Sequence, residues 1–345
     1  MNDKYQKALA LETQTVPPIW MMRQAGRYQK TYRALREKHS FENLCKVPEL
    51  SAQVGLNAVM EFDFDLCILF SDILFPLEAL GMGLSYDPAP QLSWKLDTKD
   101  DFKKFTPASD AISFMDFQSH ALKATREVLP KDKSLIGFVG GYWTLFGYAV
   151  EGSHKGSMLE TKKRRDLFKT FIKDFMHPLI KENIKLQLDS GAELVMIFDT
   201  ALGEVDVSFY KEEIFPFIKE LAEAFPNKLG YYTKGTTHDY FHDEFYSLPF
   251  LGMGWDHRWD LKRVLKEKKY NGFVQGNFDQ ALLHQNPEDF KKSLTHYLDQ
   301  FTDLSEEELK GFVLGLGHGV LPKTPEDNVK LFIEMSRDYF EKRTK

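Results

Sequence analysis

The chain has 345 residues, with 45 Lys and Arg against 51 Asp and Glu, and therefore a formal net charge of −6 at pH 7. This acidic balance argues against nucleic acid as a partner, because nucleic-acid-binding proteins carry a basic surface. Apolar residues make up 43% of the chain, which is enough for a large core and excludes disorder throughout.

Export and membrane signals are missing from the sequence. A membrane-spanning helix needs about 20 apolar residues, and every apolar run in this sequence is much shorter. The first 18 residues are polar and lack the apolar segment of a secretory signal. The two cysteines, Cys45 and Cys67, form no CxxC pair. We therefore predict a cytoplasmic protein without a membrane span or a disulfide framework.

Short apolar runs recur along the chain, and each ends abruptly at a small or polar residue. They lie at 66–70, 135–139, 194–198, 229–232, 250–253, 273–275 and 312–314. Segments with helical spacing, such as 165–175 and 212–221, separate them. Strands that alternate with helices predict a parallel sheet, because parallel strands need crossover connections.

Seven such strands predict an α/β protein with a distorted (β/α)8 TIM barrel. The pattern does not fix the eighth strand, for which residues 18–22 are one candidate. A barrel needs about 250 residues, so we predict one domain over 1–345 with an N-terminal arm at about 1–40 and an insertion at about 76–133. The active site of such a barrel lies at the C-terminal ends of the strands, which are followed here by Asp72, Thr200, Lys234, Asp256, Asn277 and His318.

Basic residues concentrate near the N-terminus. Residues 22–38 hold four Arg and two Lys against Glu37, a local charge of +5. Guanidinium groups bind carboxylates or phosphates through paired hydrogen bonds. A solvated basic helix face is the alternative interpretation, but Gly26 is unexpected in a helix and the apolar residues 20–22 would hold the segment against a wall. The segment therefore predicts a site for a polyanionic small molecule.

Residues 18–28 read PIWMMRQAGRY, which resembles the PxWxMRQAGRY signature of the uroporphyrinogen decarboxylase family of haem biosynthesis. Further matches follow in order at 70–74, 137–152, 191–200, 234–235, 276–279 and 316–329. The resemblance covers nearly the whole chain. It implies a homodimeric (β/α)8 barrel that converts the four acetate side chains of uroporphyrinogen III to methyl groups, giving coproporphyrinogen III, without a cofactor or metal.

The resemblance also implies the site residues. Asp72 would stabilise the transition state, with Arg23 and Tyr148 as further catalytic residues. Substrate contacts would come from Arg23, Gln24, Ala25, Gly26, Arg27, Arg36, Asp72, Tyr148, Thr200 and His318. We prefer carboxylate positioning to proton donation for Arg23, because a guanidinium with a pKa above about 12 is a poor acid at neutral pH. The proton donor is left open.

Plainer interpretations exist for three of these residues. Asp72 could cap a helix after a strand, Tyr148 could be a core aromatic residue, and His318 could be a hydrogen-bonded loop residue. The sequence also departs from the family pattern, which indicates a divergent member with altered loops. The departures are Tyr142 for Pro, Thr200 for Ser, His257 for Trp, Gln280 for Pro and Gly315 for Asn.

Two other functions are weighed against decarboxylation. A zinc- and cobamide-dependent methyltransferase of the same superfamily would hold its metal with a His-x-Cys motif and a second Cys, and neither Cys45 nor Cys67 follows a His at that spacing. A non-catalytic polyanion-binding barrel would keep the arginines but has no use for Asp72. His238 and His242 have a spacing that could clamp a metal, but a solvated helix start is favoured.

Overall fold

A computed structural model describes residues 1–86, 89–153, 156–269 and 271–343. Within these residues the strands are β1 (Leu66–Ile68), β2 (Leu84–Tyr86), β3 (Pro90–Leu92), β4 (Ser134–Gly140), β5 (Val195–Asp199), β6 (Leu229–Thr233), β7 (Gly252–Gly254), β8 (Phe273–Phe278) and β9 (Phe312–Leu316). Seven of these strands form one sheet in the order β1-β4-β5-β6-β7-β8-β9, and every neighbouring pair is parallel; β2 and β3 form a separate antiparallel hairpin.

All seven predicted strands are confirmed. Every residue of β4 to β9 is buried, because the crossover helices cover the sheet and its strands can be apolar throughout. Most strand ends differ from the predicted runs by one to three residues. β1 ends at Ile68 rather than at residue 70, and β7 begins at Gly252 rather than at residue 250.

The candidate eighth strand joins the two edges of the sheet. Ile19 forms a parallel bridge with Leu314 of β9, whose amide donates to the Pro18 carbonyl at 2.9 Å. On its other side, the Ile19 carbonyl accepts from the Asp65 amide at 3.0 Å, and the Ile19 amide donates to Asp65 Oδ2 at 2.8 Å. A short segment around Ile19 therefore occupies the eighth position, and the distorted barrel is confirmed.

Helices alternate with the strands, as the spacing of apolar residues predicts. They are α1 (Asp3–Leu9), α2 (Lys30–Arg36), α3 (Phe41–Lys46), α4 (Pro48–Phe62), α5 (Phe75–Leu77), α6 (Ala108–Ala111), α7 (Asp116–Val128), α8 (Tyr142–Glu151), α9 (Leu159–Lys163), α10 (Arg165–Thr170), α11 (His177–Asp189), α12 (Val207–Phe209), α13 (Phe215–Ala224), α14 (Asp243–Tyr246), α15 (Leu261–Glu267), α16 (Pro287–Asp299) and α17 (Glu326–Arg343). One π-helical stretch joins α10 to α11, and another joins α12 to α13.

Residues 76–133 contain the β2–β3 hairpin and α7, which packs against α4. The division into an arm, an insertion and one barrel domain stays a prediction. Within the described ranges, no helix combines the length and the apolar character that a membrane crossing requires.

Candidate active site

The arginine-rich segment reaches the C-terminal end of the barrel as a turn. Beyond the Ile19 bridge the chain makes tight turns over residues 22–28, and a regular helix begins only at Lys30. Arg23 and Arg27 are exposed on these turns. A basic helix face is therefore the wrong description of this part of the segment, and it applies only to α2.

Arg23 lies against the loop that carries His318. A Cβ at Gly319 would lie 2.6 Å from Arg23 Cδ, so a side chain there would displace the arginine. The backbone of Arg23 is left-handed, with φ 59°, and the Val320 amide donates to the Met22 carbonyl at 2.9 Å. These contacts bring two parts of the predicted site together from opposite ends of the chain.

Asp72 follows β1 and is half-buried. Its Oδ1 accepts from the Leu74 amide at 2.9 Å, at the turn into α5, so the capping interpretation is correct for one oxygen. The hydroxyl of Tyr86 lies close enough to this carboxyl to favour its ionised form. Burial raises the pKa of the Asp72 carboxyl, and the Leu74 hydrogen bond and the positive charge of Arg23 oppose that rise.

Tyr148 lies on α8 and is half-buried near both Asp72 and Arg23. Burial raises the pKa of its phenol to about 12, with the charge of Asp72 adding to the rise and that of Arg23 opposing it. The three predicted catalytic residues therefore share one electrostatic environment. The hydroxyl of Tyr86 is buried close to Asp72 without a hydrogen bond of standard geometry.

Asp199 holds the helix that carries Tyr148. The N-cap of α8 is Gly141, which has no side chain to accept from the first amides of the helix. Asp199 Oδ1 takes that place, because it accepts from the Thr144 amide at 3.1 Å and from the Thr144 hydroxyl at 2.6 Å. Burial raises the pKa of Asp199 to about 6, although these hydrogen bonds oppose the rise. This role of Asp199 was not predicted, although Gly141, which cannot cap the helix, was a signal for it in the sequence.

His318 stacks on Tyr232, with ring centroids 6.1 Å apart and planes within 11°. The Tyr232 hydroxyl donates to the Gly317 carbonyl at 2.7 Å and lies 3.2 Å from His318 Nδ1. A hydrogen-bonded loop histidine is therefore a correct description of His318, which is also half-buried beside Arg23. Tyr232 was not predicted as a site residue.

Thr200 follows β5, and its hydroxyl oxygen is buried without a hydrogen-bond partner among the described residues. Buried hydroxyl groups are costly to leave unpaired. An unpaired group of this kind fits a position that a bound substrate would satisfy.

Gln24, Ala25 and Gly26 form the first turn of the segment. The buried Gln24 side chain donates to the Leu66 carbonyl at 3.0 Å, which anchors the turn to β1. The Gln24 amide donates to the Met21 carbonyl and the Gly26 amide to Gln29 Oε1. Of the three backbone amides, that of Ala25 has no acceptor within the described part of the chain. Substrate contacts from these three residues stay a prediction.

Arg27 and Arg36 both lie near Tyr32. The charges of both act on Tyr32, whose ring contacts Phe70 with centroids 5.7 Å apart, two positions before Asp72. Arg36 also donates to the His39 carbonyl. Their binding of substrate stays a prediction.

The expectation that every polar residue after a strand lines the mouth is wrong for Asp256 and Asn277. Asp256 is fully buried and accepts from the Gly235 amide and from Arg258. Asn277 is also buried and donates to the Asp256 and Trp259 carbonyls, each at 2.9 Å. Both hold the loop after β7.

Three departures from the family pattern fit the barrel locally. Tyr142 is the first residue of α8, and its hydroxyl lies 2.7 Å from His177 Nδ1. Gln280 begins the short 3-10 helix after β8, and Gly315 lies within β9 paired with Asn277.

Cys45 and Cys67 are both buried and free. Cys45, on α3, lies unexpectedly close to Asp72; burial raises the pKa of its thiol, and the charge of Asp72 adds to the rise. Within residues 1–86, 89–153, 156–269 and 271–343, no group of three or more His, Cys, Asp or Glu side chains is arranged to hold a metal ion.

Comparison with known proteins identifies the family. The sequence model described as Uroporphyrinogen decarboxylase (URO-D) matches residues 1–339. The chain belongs to the uroporphyrinogen decarboxylase family. It is 31% identical to the uroporphyrinogen decarboxylase of Chlorobium phaeobacteroides and 33% identical to that of Chlorobium limicola, each over 98% of this chain and 97% of the relative. The relative from Francisella tularensis subsp. novicida is 30% identical over 94% of this chain and 95% of its own length.

Solved structures support the fold of this decarboxylase family member. A methyltransferase from Methanosarcina mazei superposes with a TM-score of 0.76 at 18% identity, over 98% of each chain. A putative vitamin-B12-independent methionine synthase from Listeria monocytogenes gives a TM-score of 0.54 at 12% identity, over 94% of this chain and 98% of the other. At these identities the likeness concerns the barrel alone.

Proposed function

We propose that this chain decarboxylates the four acetate side chains of uroporphyrinogen III to give coproporphyrinogen III. The observation that carries the proposal is Asp72, a half-buried carboxylate near Arg23 and Tyr148, of which one oxygen accepts from the Leu74 amide. The substrate has four pyrrole N–H groups that can converge on one acceptor. We expect Asp72 Oδ2 to accept from them, while the arginines bind the carboxylates at the rim.

The reaction follows from the chemistry of the pyrrole. Protonation of a ring carbon forms an azafulvenium cation, and the C–C bond to the acetate carboxylate breaks with its electron pair moving into that cation. CO₂ leaves, a proton adds to the exocyclic methylene carbon, and the ring loses the first proton. Each turnover thus consumes one proton and one carboxylate. The substrate's own ring accepts the electrons, so this scheme needs no cofactor.

Asp72 favours the cationic transition state over the neutral ground state, which is the condition for a charge to accelerate a reaction. A well-aimed group of this type contributes about 3 to 4 kcal/mol. Arg23 positions a carboxylate, Thr200 supplies a hydroxyl, and His318 binds a further carboxylate. A homodimer with facing mouths and a cytoplasmic location belong to the same proposal.

The test uses purified, metal-chelated protein and anaerobically reduced uroporphyrinogen III, with products separated by carboxylate number. We expect seven-, six-, five- and four-carboxylate products in turn. Asp72→Asn is expected to lower kcat by about a hundredfold or more. Asp279→Asn is the matched control, because Asp279 is also half-buried after a strand and accepts from the amide two residues on at 2.9 Å. Persistence of the eight-carboxylate compound with the unmodified protein refutes the proposal.

A further inference from the structure

The loop after β7 contains a cation that the family pattern does not predict. Where the family has Trp, this chain has His257, and Arg258 follows it. The fully buried Asp256 accepts from the Arg258 amide at 2.9 Å and from Arg258 Nη1 at 2.7 Å. The guanidinium is thus fixed by a buried carboxylate, while its side chain is 52% exposed.

Arg258 faces the same end of the barrel as the predicted site. Its charge and that of Arg23 both act on Tyr232 and oppose the rise that burial causes in the pKa of that phenol. Tyr232 stacks on His318. Arg258 therefore approaches the His318 loop from β7, while Arg23 approaches it from the N-terminal segment.

His257, the neighbour of Arg258 in the chain, contacts the His318 loop. A Cβ at Gly317 would lie 2.5 Å from the His257 amide nitrogen and 3.0 Å from its Cβ, so the residue is packed directly on the His318 loop. Its Nδ1 is buried and has no partner in the described part of the chain. Buried ring nitrogens are rarely left unpaired, and this one indicates a place for a water molecule or a ligand atom.

We propose that Arg258, with His257 beside it, binds a carboxylate of the substrate and forms a second cationic subsite at the mouth, across the His318 loop from Arg23. This inference rests on the proposed function for the identity of the ligand. A guanidinium has five N–H donors, and the described residues engage one of them. The buried Asp256 orients the guanidinium of Arg258. The remaining N–H groups of that guanidinium can therefore pair with a carboxylate without further ordering of the side chain.

A purely structural arginine would behave differently. If Arg258 only completed the hydrogen bonds of Asp256, its replacement would lower the melting temperature and leave ligand affinity unchanged. If Arg258 binds a carboxylate, its replacement lowers the affinity for the anion and weakens the dependence of that affinity on salt. The two roles are therefore separated by measuring binding and stability on the same variants.

The experiment combines kinetics with binding of uroporphyrin, the oxidised and unreactive eight-carboxylate ring, followed by fluorescence. We expect Arg258→Gln to raise the Kd for uroporphyrin and the KM for uroporphyrinogen III about tenfold, with kcat within about twofold and a weaker salt dependence. Arg263→Gln is the matched control, because Arg263 is 56% exposed and paired with Glu267 on α15. It is expected to leave both constants unchanged.

If Arg258→Gln is destabilised, Arg258→Lys carries the test, because it keeps the charge but loses the fork. A Kd at least about threefold higher is then expected. An unchanged Kd in the folded variant overturns the inference, as does a failure of the unmodified protein to bind uroporphyrin. Uroporphyrin binding that depends on Arg258 in a protein without decarboxylase activity would refute the proposed function and support the subsite.

Discussion

Arg23 lowers the pKa of Asp72 against the effect of burial, although the two residues reach the site from different segments of the chain. The carboxylate must be ionised to stabilise a cation, so activity falls as the pH falls through its raised pKa. The acid limb of kcat/KM is therefore expected above pH 3.8, the ordinary value for this group.

Arg23→Gln removes the opposing charge and raises the pKa of Asp72 further. The acid limb of the residual activity is expected to move to higher pH. The charge of Arg27 does not act on Asp72. Arg27→Gln is therefore expected to raise KM without moving the acid limb of the pH profile. The pH profile of kcat/KM for the three proteins measures this, and coincident limbs for Arg23→Gln and the unmodified enzyme would contradict it.

Thr200→Val separates substrate binding from folding. The Thr200 hydroxyl is buried without a partner, so its removal is expected to leave the free energy of unfolding unchanged or higher by about 1 kcal/mol. The substrate loses a hydrogen bond, and KM is expected to rise about threefold to tenfold. Urea unfolding and steady-state kinetics measure the two effects. A loss of stability would show that the hydroxyl is satisfied within the free protein.

Asp199→Asn changes the pH dependence of stability. The folded pKa of Asp199 is about 6, above the ordinary 3.8, so the folded state holds its proton more tightly. The resulting stabilisation is complete below pH 3.8 and is lost as the pH rises through 6, a change of up to about 3 kcal/mol.

Asn keeps an oxygen to accept from Thr144 and does not titrate. The free energy of unfolding of the unmodified protein should therefore fall relative to that of Asp199→Asn between pH 4 and pH 7. Parallel curves in urea unfolding would contradict this. Asp199→Ala should also lower kcat, because it releases the start of the helix that positions Tyr148.

His177 makes the protein sensitive to acid. Its Nε2 lies 3.0 Å from Glu220 and its Nδ1 lies 2.7 Å from the Tyr142 hydroxyl, yet burial lowers its pKa below the ordinary 6.5. The unfolded chain binds this proton more readily, so stability falls as the pH drops below 6.5. Between pH 7.5 and pH 5, the free energy of unfolding of His177→Gln is expected to fall less than that of the unmodified protein. His296→Gln, on an exposed part of α16, should behave as the unmodified protein does.

The sequence predicts the barrel well because each strand is a buried apolar run that ends at a small or polar residue. The eighth position was only a candidate, since a bridge at Ile19 has no periodicity to detect. The meeting of Arg23 with Gly319 joins residues at opposite ends of the chain, and no local pattern encodes it. The prediction for Asp256 and Asn277 was wrong because a position after a strand places a residue at the mouth end of the barrel. It does not show whether the side chain is hydrogen-bonded within a loop.

The bridge at Ile19 has a consequence for biosynthesis. Synthesis reaches the segment that carries Arg23 long before it reaches the partner strand β9. Contacts so distant in sequence form late, because their loop-closure entropy must be met first. The candidate site is therefore incomplete on a nascent chain that lacks β9. Under the proposed function, a chain that lacks β9 would therefore bind no substrate, and activity would begin with closure of the barrel.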